Sequence, residues 1–168
     1  MKQMTTSRVA LFVSAFVLPI TSALATSNYE YGRDEYVTVA TGISPNGQYA
    51  ITAHGGGNLG YDNFHLYLTD VRTGKNFGPL SEIIETLDTG ANAFSAKWSG
   101  NSKNVIIIYR VDRHAPLKAV KYRIVGRRAS WIKGPFNVTG EELAKYWRDH
   151  SSGTAPSPKI FGASLHRR

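Results

Sequence analysis

The stretch Ile43-Ser44-Pro45-Asn46-Gly47-Gln48-Tyr49-Ala50-Ile51 reads as a tight turn that launches a strand. Proline fixes φ at the turn's second position, and Asn-Gly accepts the positive φ that hairpins demand. Residues 36–41 (YVTVAT) precede it and residues 48–53 (QYAITA) follow it, both with β-branched or alternating character. The same arrangement returns 55 positions later in Trp98-Ser99-Gly100-Asn101-Ser102-Lys103-Asn104-Val105-Ile106. Each copy is a Ser-x-Asn-Gly/Ser turn opening onto an apolar strand. Self-similarity at this spacing implies repeated supersecondary units, so the chain is expected to be all-β and mainly antiparallel.

Working outward, residues 64–71 (FHLYLTDV) form a third strand, with Phe64, Leu66 and Leu68 on one face and His65, Tyr67 and Thr69 on the other. Arg72-Thr73-Gly74-Lys75 is the next turn. Strands resume at residues 93–98, 104–111, 118–125 and 130–133. The run Val105-Ile106-Ile107-Ile108 has the character of a strand buried on both faces. Two segments break the pattern. Leu80, Ile83, Ile84 and Leu87 stand at i, i+3, i+4 and i+7 between Pro79 and Gly90, which predicts a short mid-chain helix. Thr139-Gly140-Glu141-Glu142 is a capping box that predicts a C-terminal helix burying Leu143, Tyr146 and Trp147.

The paired motifs resemble the propeller repeats of periplasmic proteins, including the β-propeller of the Tol translocation system and WD-type repeats. Those repeats run roughly Trp-Ser-Pro-Asp-Gly-Lys, a strand, and then a strand ending Asp-x-x-Thr-Gly-Lys. Here the first unit supplies Ile43-Ser44-Pro45-Asn46-Gly47-Gln48 and Asp70-Val71-Arg72-Thr73-Gly74-Lys75; the second supplies Trp98 to Lys103, with its later half degenerate. The resemblance covers about residues 36–130 and implies protein–protein or envelope association rather than catalysis. A closed propeller has about 4–8 blades, and this chain has room for two. Three solutions follow: a compact sandwich-like domain, a ring of two-blade subunits, or an open edge docked on a partner.

The ends and the composition bound the compartment. Lys2 and Arg8 precede the twelve-residue apolar run 9–20, and Ala23-Leu24-Ala25 supplies a small-x-small cleavage pattern. The expected organisation is a signal peptide (1–25), a lead-in (26–35), one β-repeat domain (36–150) and a disordered basic tail (151–168), in a periplasmic or secreted protein with no transmembrane span after cleavage. The chain has no cysteine, which excludes disulfides, thiolate metal sites and a cysteine nucleophile. The formal charge of +8 falls to +6 without Lys2 and Arg8. Arg110, Arg113, Lys118, Lys121, Arg123, Arg127 and Arg128 are clustered, a candidate basic surface for anionic cell-wall polymers or envelope proteins, without the aromatic interleaving of a nucleic-acid site.

His54-Gly55-Gly56-Gly57 matches the string that esterases place under an oxyanion hole. The Gly-x-Ser-x-Gly nucleophile elbow that must accompany it is missing from the sequence, so no catalytic residue is assigned. The glycines instead connect two strands, and the loop 54–63 carries His54, Asn58, Tyr61 and Asp62 as candidate ligand contacts. Two potential ligands are too few for a usual zinc site, so no metal and no cofactor is expected. The resulting expectation is an exported, non-enzymatic binding or interaction module. A small envelope hydrolase or metal enzyme using His54, and a self-assembling component built of incomplete blades, are the alternatives.

Overall fold

A computed structural model describes residues 26–141 and 159–162. The chain forms strands β1 (Tyr36–Ile43), β2 (Tyr49–Gly56), β3 (Asp62–Asp70), β4 (Asn76–Pro79), β5 (Ser95–Trp98), β6 (Asn104–Tyr109), β7 (Lys118–Val125), β8 (Arg128–Asn137) and β9 (Ile160–Phe161). They join in one mixed sheet, ordered β4-β3-β2-β1-β5-β6-β7-β8, with β9 beside β1. The sheet curls into a half-barrel. It is two antiparallel four-stranded meanders, β1–β4 and β5–β8, whose first strands lie side by side and parallel at Ala40 and Ser95.

The repeat seen in the sequence is a repeat of hydrogen bonds. In the first turn the Ser44 hydroxyl donates to Asn46 Oδ1 (2.8 Å) and accepts from the Tyr49 amide (2.9 Å), while Asn46 Oδ1 also accepts from the Gln48 amide (3.1 Å). In the second, Ser99 donates to Asn101 Oδ1 (2.7 Å) and accepts from the Asn104 amide (2.9 Å), and Asn101 Oδ1 accepts from the Lys103 amide (3.1 Å). Serine and asparagine are needed because each satisfies turn amides that the strands leave unpaired. Gly47 and Ser102 hold the same place, with φ of 67° and 58°. A serine tolerates that left-handed backbone at a cost of roughly 1–2 kcal/mol. Here its hydroxyl accepts from the Asn46 amide (3.1 Å), so the second turn clasps the first.

One apolar core joins the meanders. Val37, Ile51, Leu66 and Leu68 from the first pack in the same cluster as Val105, Ile107, Val120 and Tyr122 from the second. Each fully buried aliphatic side chain of this kind contributes about 1.5–3 kcal/mol. A smaller cluster, Ile108, Leu117, Ala119 and Val138, lies apart from it. Because Ile107 serves the first cluster and Ile108 the second, the β6 run is buried on both faces as its sequence implied.

Three expectations are corrected or fall outside the described chain. The Leu80–Leu87 stripe is a series of turns and bends, not a helix. Leu80 and Ile83 are buried, but Ile84 is 56% exposed and Glu85 adopts φ 55°, so the stripe never acts as a face. The Leu80 amide instead bonds the Leu66 carbonyl (2.8 Å) and the Leu87 amide the Arg110 carbonyl (2.9 Å), tethering the connection to both meanders. An eight-residue segment with two anchors lacks the packing needed to offset helix nucleation. The tail expected to be disordered contributes β9, which pairs antiparallel with Tyr36 and Val37; Phe161 is buried there. The signal segment and the C-terminal helix beyond Glu141 lie outside the described residues.

The outer edges carry devices against pairing. β8 has register shifts opposite Lys121 and contains Pro135, and β4 ends at Pro79. Proline lacks a donor and a bulge breaks the ladder, so neither edge offers a long regular template.

Candidate functional site

The glycine run is a packing feature. β2 extends through Gly56 and β3 begins at Asp62, so the connection shrinks to a 3-10 turn at Asn58–Gly60. A Cβ at Gly55 would collide with the Gly60 carbonyl, and one at Gly57 with the Asp62 carboxylate. Close backbone approach at Gly55 and a left-handed backbone at Gly57 (φ 66°) account for these two glycines without an oxyanion.

The four loop candidates do not converge. His54 is half-buried on β2, its Nδ1 2.7 Å from the Glu35 carbonyl and its ring stacked on Tyr36 at 4.6 Å. A carbonyl can only accept, so Nδ1 carries a proton and donates to it. His65 stands directly across the strand pair from His54. Tyr67 lies between them, edge-on to His65 and to Tyr36, and burial raises its phenol above the ordinary value. Asn58 is exposed at the turn, and Asp62 lies against Gly57. Tyr61 is 51% exposed and turns the other way, donating to Asn28 Oδ1 at 3.2 Å.

The basic cluster is divided by the strands that carry it. Arg110 is 8% exposed and forms a two-point ion pair with Asp88, Nε to Oδ2 at 2.9 Å and Nη2 to Oδ1 at 2.8 Å. It is a buried structural cation, not a surface contact. Asp88 Oδ1 also accepts from the Ser27 amide (2.7 Å), so this pair fastens the lead-in to the second meander. Arg113 donates to the Thr26 hydroxyl, Lys118 to Asn137 Oδ1, and Arg127 stands 5.8 Å over the Phe77 ring of β4.

The remaining cations share a face. Residues paired across antiparallel strands project to the same side. Lys97 pairs with Ile106, Ile106 with Lys121, and Lys121 with Lys133, a row across all four strands of the second meander. Arg123 and Arg128 occupy the same side, Arg128 opposite Val125. Lys97 and Lys133 escaped the sequence reading because they are isolated in the chain; counting alternation from the buried Ala96 and the pairing of β8 would have placed them. No carboxylate occurs within β5–β8. Trp131 is 52% exposed on the edge strand of this meander.

A cavity of about 340 Å³ opens beside β1, lined by Ser27–Tyr29, by residues 37–40 and by residues 90–92. Tyr61 reaches its rim through Asn28. Among the described residues, no group of three or more His, Asp or Glu side chains converges, and no helix is long and apolar enough to cross a membrane. Comparison with protein-family models, with curated proteins and with solved structures gives no match to this chain.

Proposed function

We propose that this chain is an exported, non-enzymatic β-repeat module that binds an anionic polymer of the cell envelope through the outer face of its second meander. The observation that carries this reading is the cross-strand pair Lys121–Lys133, with Arg123 and Arg128 on the same side of the sheet. Like charges directly opposite one another in a sheet are destabilising, so Lys121 facing Lys133 is a cost to the fold. A repeating anion relieves that cost, and a spaced row suits a polymer better than a single small anion.

Two blade-like units account for the architecture in this reading. Their turns match bond for bond, and their first strands are parallel neighbours that join the two units into one sheet. The shared core supports a single compact domain over an open ring.

The test compares the mature chain with a Lys121→Glu/Lys133→Glu variant on heparin, dextran sulfate and uncharged dextran. The parent is expected to bind both polyanions, with affinity falling as salt rises past about 0.15 M. The variant should lose about tenfold or more, equivalent to about 1.4 kcal/mol. Equal retention of the two proteins, or equal binding to uncharged dextran, overturns the reading.

A further inference from the structure

We infer that the cavity beside β1 is a binding site for a small, uncharged, hydroxyl-rich ligand of the size of one or two sugar rings. Its origin is topological. The edge of β1 away from β2 is shared: β9 pairs with Tyr36 and Val37, while β5 joins it from Ala40 onward, where the Thr41 hydroxyl donates to the Ala96 carbonyl and Trp98 Nε1 to the Gly42 carbonyl. Between these contacts the two meanders diverge and leave a wedge. The lead-in spans that wedge instead of filling it, because its backbone is committed elsewhere. The Ser27 carbonyl accepts from the Thr89 and Gly90 amides (3.1 and 2.8 Å), and the Tyr29 amide donates to the Thr89 hydroxyl (3.2 Å). The Arg110–Asp88 pair holds the Ser27 amide from below. The walls are therefore set before any ligand arrives, which lowers the ordering cost of binding.

The chemistry of the lining selects the ligand class. No charged side chain lines the cavity. Its polar side chains are Ser27, Asn28, Tyr29, Thr38 and Asn92; the Tyr29 and Thr38 hydroxyls donate to Glu35 Oε1 (2.7 Å) and the Lys159 carbonyl (2.8 Å), which leaves their oxygens as acceptors. Asn28 and Asn92 both use their Oδ1 atoms as acceptors, from Tyr61 and from Ser27. That orientation directs their Nδ2 groups, two donors each, to other partners. Val37, Val39 and Ala91 form an apolar wall opposite, and Tyr29 is partly exposed at the mouth. Amide donors, hydroxyls, one aromatic face and an apolar wall are the complement of a pyranose, which has hydroxyl edges and an apolar C–H face. The volume of about 340 Å³ falls at the lower end of the roughly 300–1,000 Å³ range of small-molecule sites. This site is separate from the cationic face, so it stands or falls independently of the polyanion reading.

The experiment is ligand-observed NMR and calorimetry on the mature chain with N-acetylglucosamine, glucose, galactose and glucuronate. At least one neutral sugar is expected to bind saturably, with Kd near about 1 mM, and glucuronate more weakly. Tyr29→Ala/Asn92→Ala should weaken that binding about tenfold or more with an unchanged circular dichroism spectrum, because both side chains are exposed at the rim. Asn92→Asp, which keeps the shape and adds charge, should weaken it as well. Lys121→Glu/Lys133→Glu should leave it unchanged. Failure of all three neutral sugars to saturate, equal binding of glucuronate, or full retention in Tyr29→Ala/Asn92→Ala overturns the inference.

Discussion

The two meanders are built alike and charged differently. In the first, Asp62 and Asp70 balance Arg72 and Lys75 across residues 36–79. Its outer side carries stacked aromatic and imidazole rings and the hydroxyl pair Thr52–Thr69 at 2.8 Å. In the second, residues 95–137 hold ten lysines and arginines and one acid, Asp112. Yet the launching turns repeat atom for atom, and both inner faces feed one core. Turn chemistry and inward-facing apolar residues suffice to specify a meander. The outward positions are then free to diverge, and it is there that the two units differ.

Breaking the join between the meanders should have the largest effect. Asp88→Ala removes the carboxylate paired with the buried Arg110 guanidinium and releases the Ser27 amide. Removing one partner of a buried pair costs about 3–5 kcal/mol, so chemical denaturation should show most of the domain's stability gone. Asp88→Ala/Arg110→Met should recover part of it; no recovery would mean that the charge pair is not what links the units.

Alkaline titration sharpens the comparison next. Burial raises the phenols of Tyr31, Tyr109 and Tyr122, Tyr109 to about 12. A raised folded-state value gives stability that is complete below the unfolded value of about 10 and is lost as pH climbs through the folded one. The protein should therefore unfold cooperatively in base between about pH 10 and 12. Phenolate absorbance developing gradually, ahead of any loss of β-sheet signal, would contradict it. Tyr109 and Tyr122 are on the second meander and Tyr31 on the lead-in, so Tyr109→Phe should shift the transition to higher pH.

The turns test equivalence directly. Ser44→Ala and Ser99→Ala each remove a hydroxyl that donates once and accepts a strand amide. Each should cost about 1–2 kcal/mol by urea denaturation, with Ser44 the more costly because it is buried and Ser99 half-buried. A cost at one site and none at the other would break the repeat as an energetic unit.

The smallest expected effect runs the other way. Lys133→Thr removes a like charge facing Lys121 on an edge strand and should stabilise by about 0.2–1 kcal/mol while weakening polyanion binding. Destabilisation by the same change would show that Lys133 serves the fold, through its contact 5.1 Å over Phe136.

The sequence by itself determined seven of the nine described strands, the two turns and the sharing of Leu66, Leu68 and Ile107 in a core, because each rests on contacts within about five residues or on a period-two pattern. It also showed that His54-Gly55-Gly56-Gly57 is not accompanied by the Gly-x-Ser-x-Gly elbow that an esterase needs. Tertiary structure decided the rest. It drew Leu80 and Ile83 into a core between two units, where a local pattern had suggested a helix. It buried Arg110 against a partner 22 residues away while turning Lys97, Lys121 and Lys133 to one side. It brought Ile160–Phe161 back to β1 and left a cavity where two meanders part. These outcomes depend on register between strands far apart in the chain. No local run of residues encodes that register; it is fixed only when the apolar faces meet.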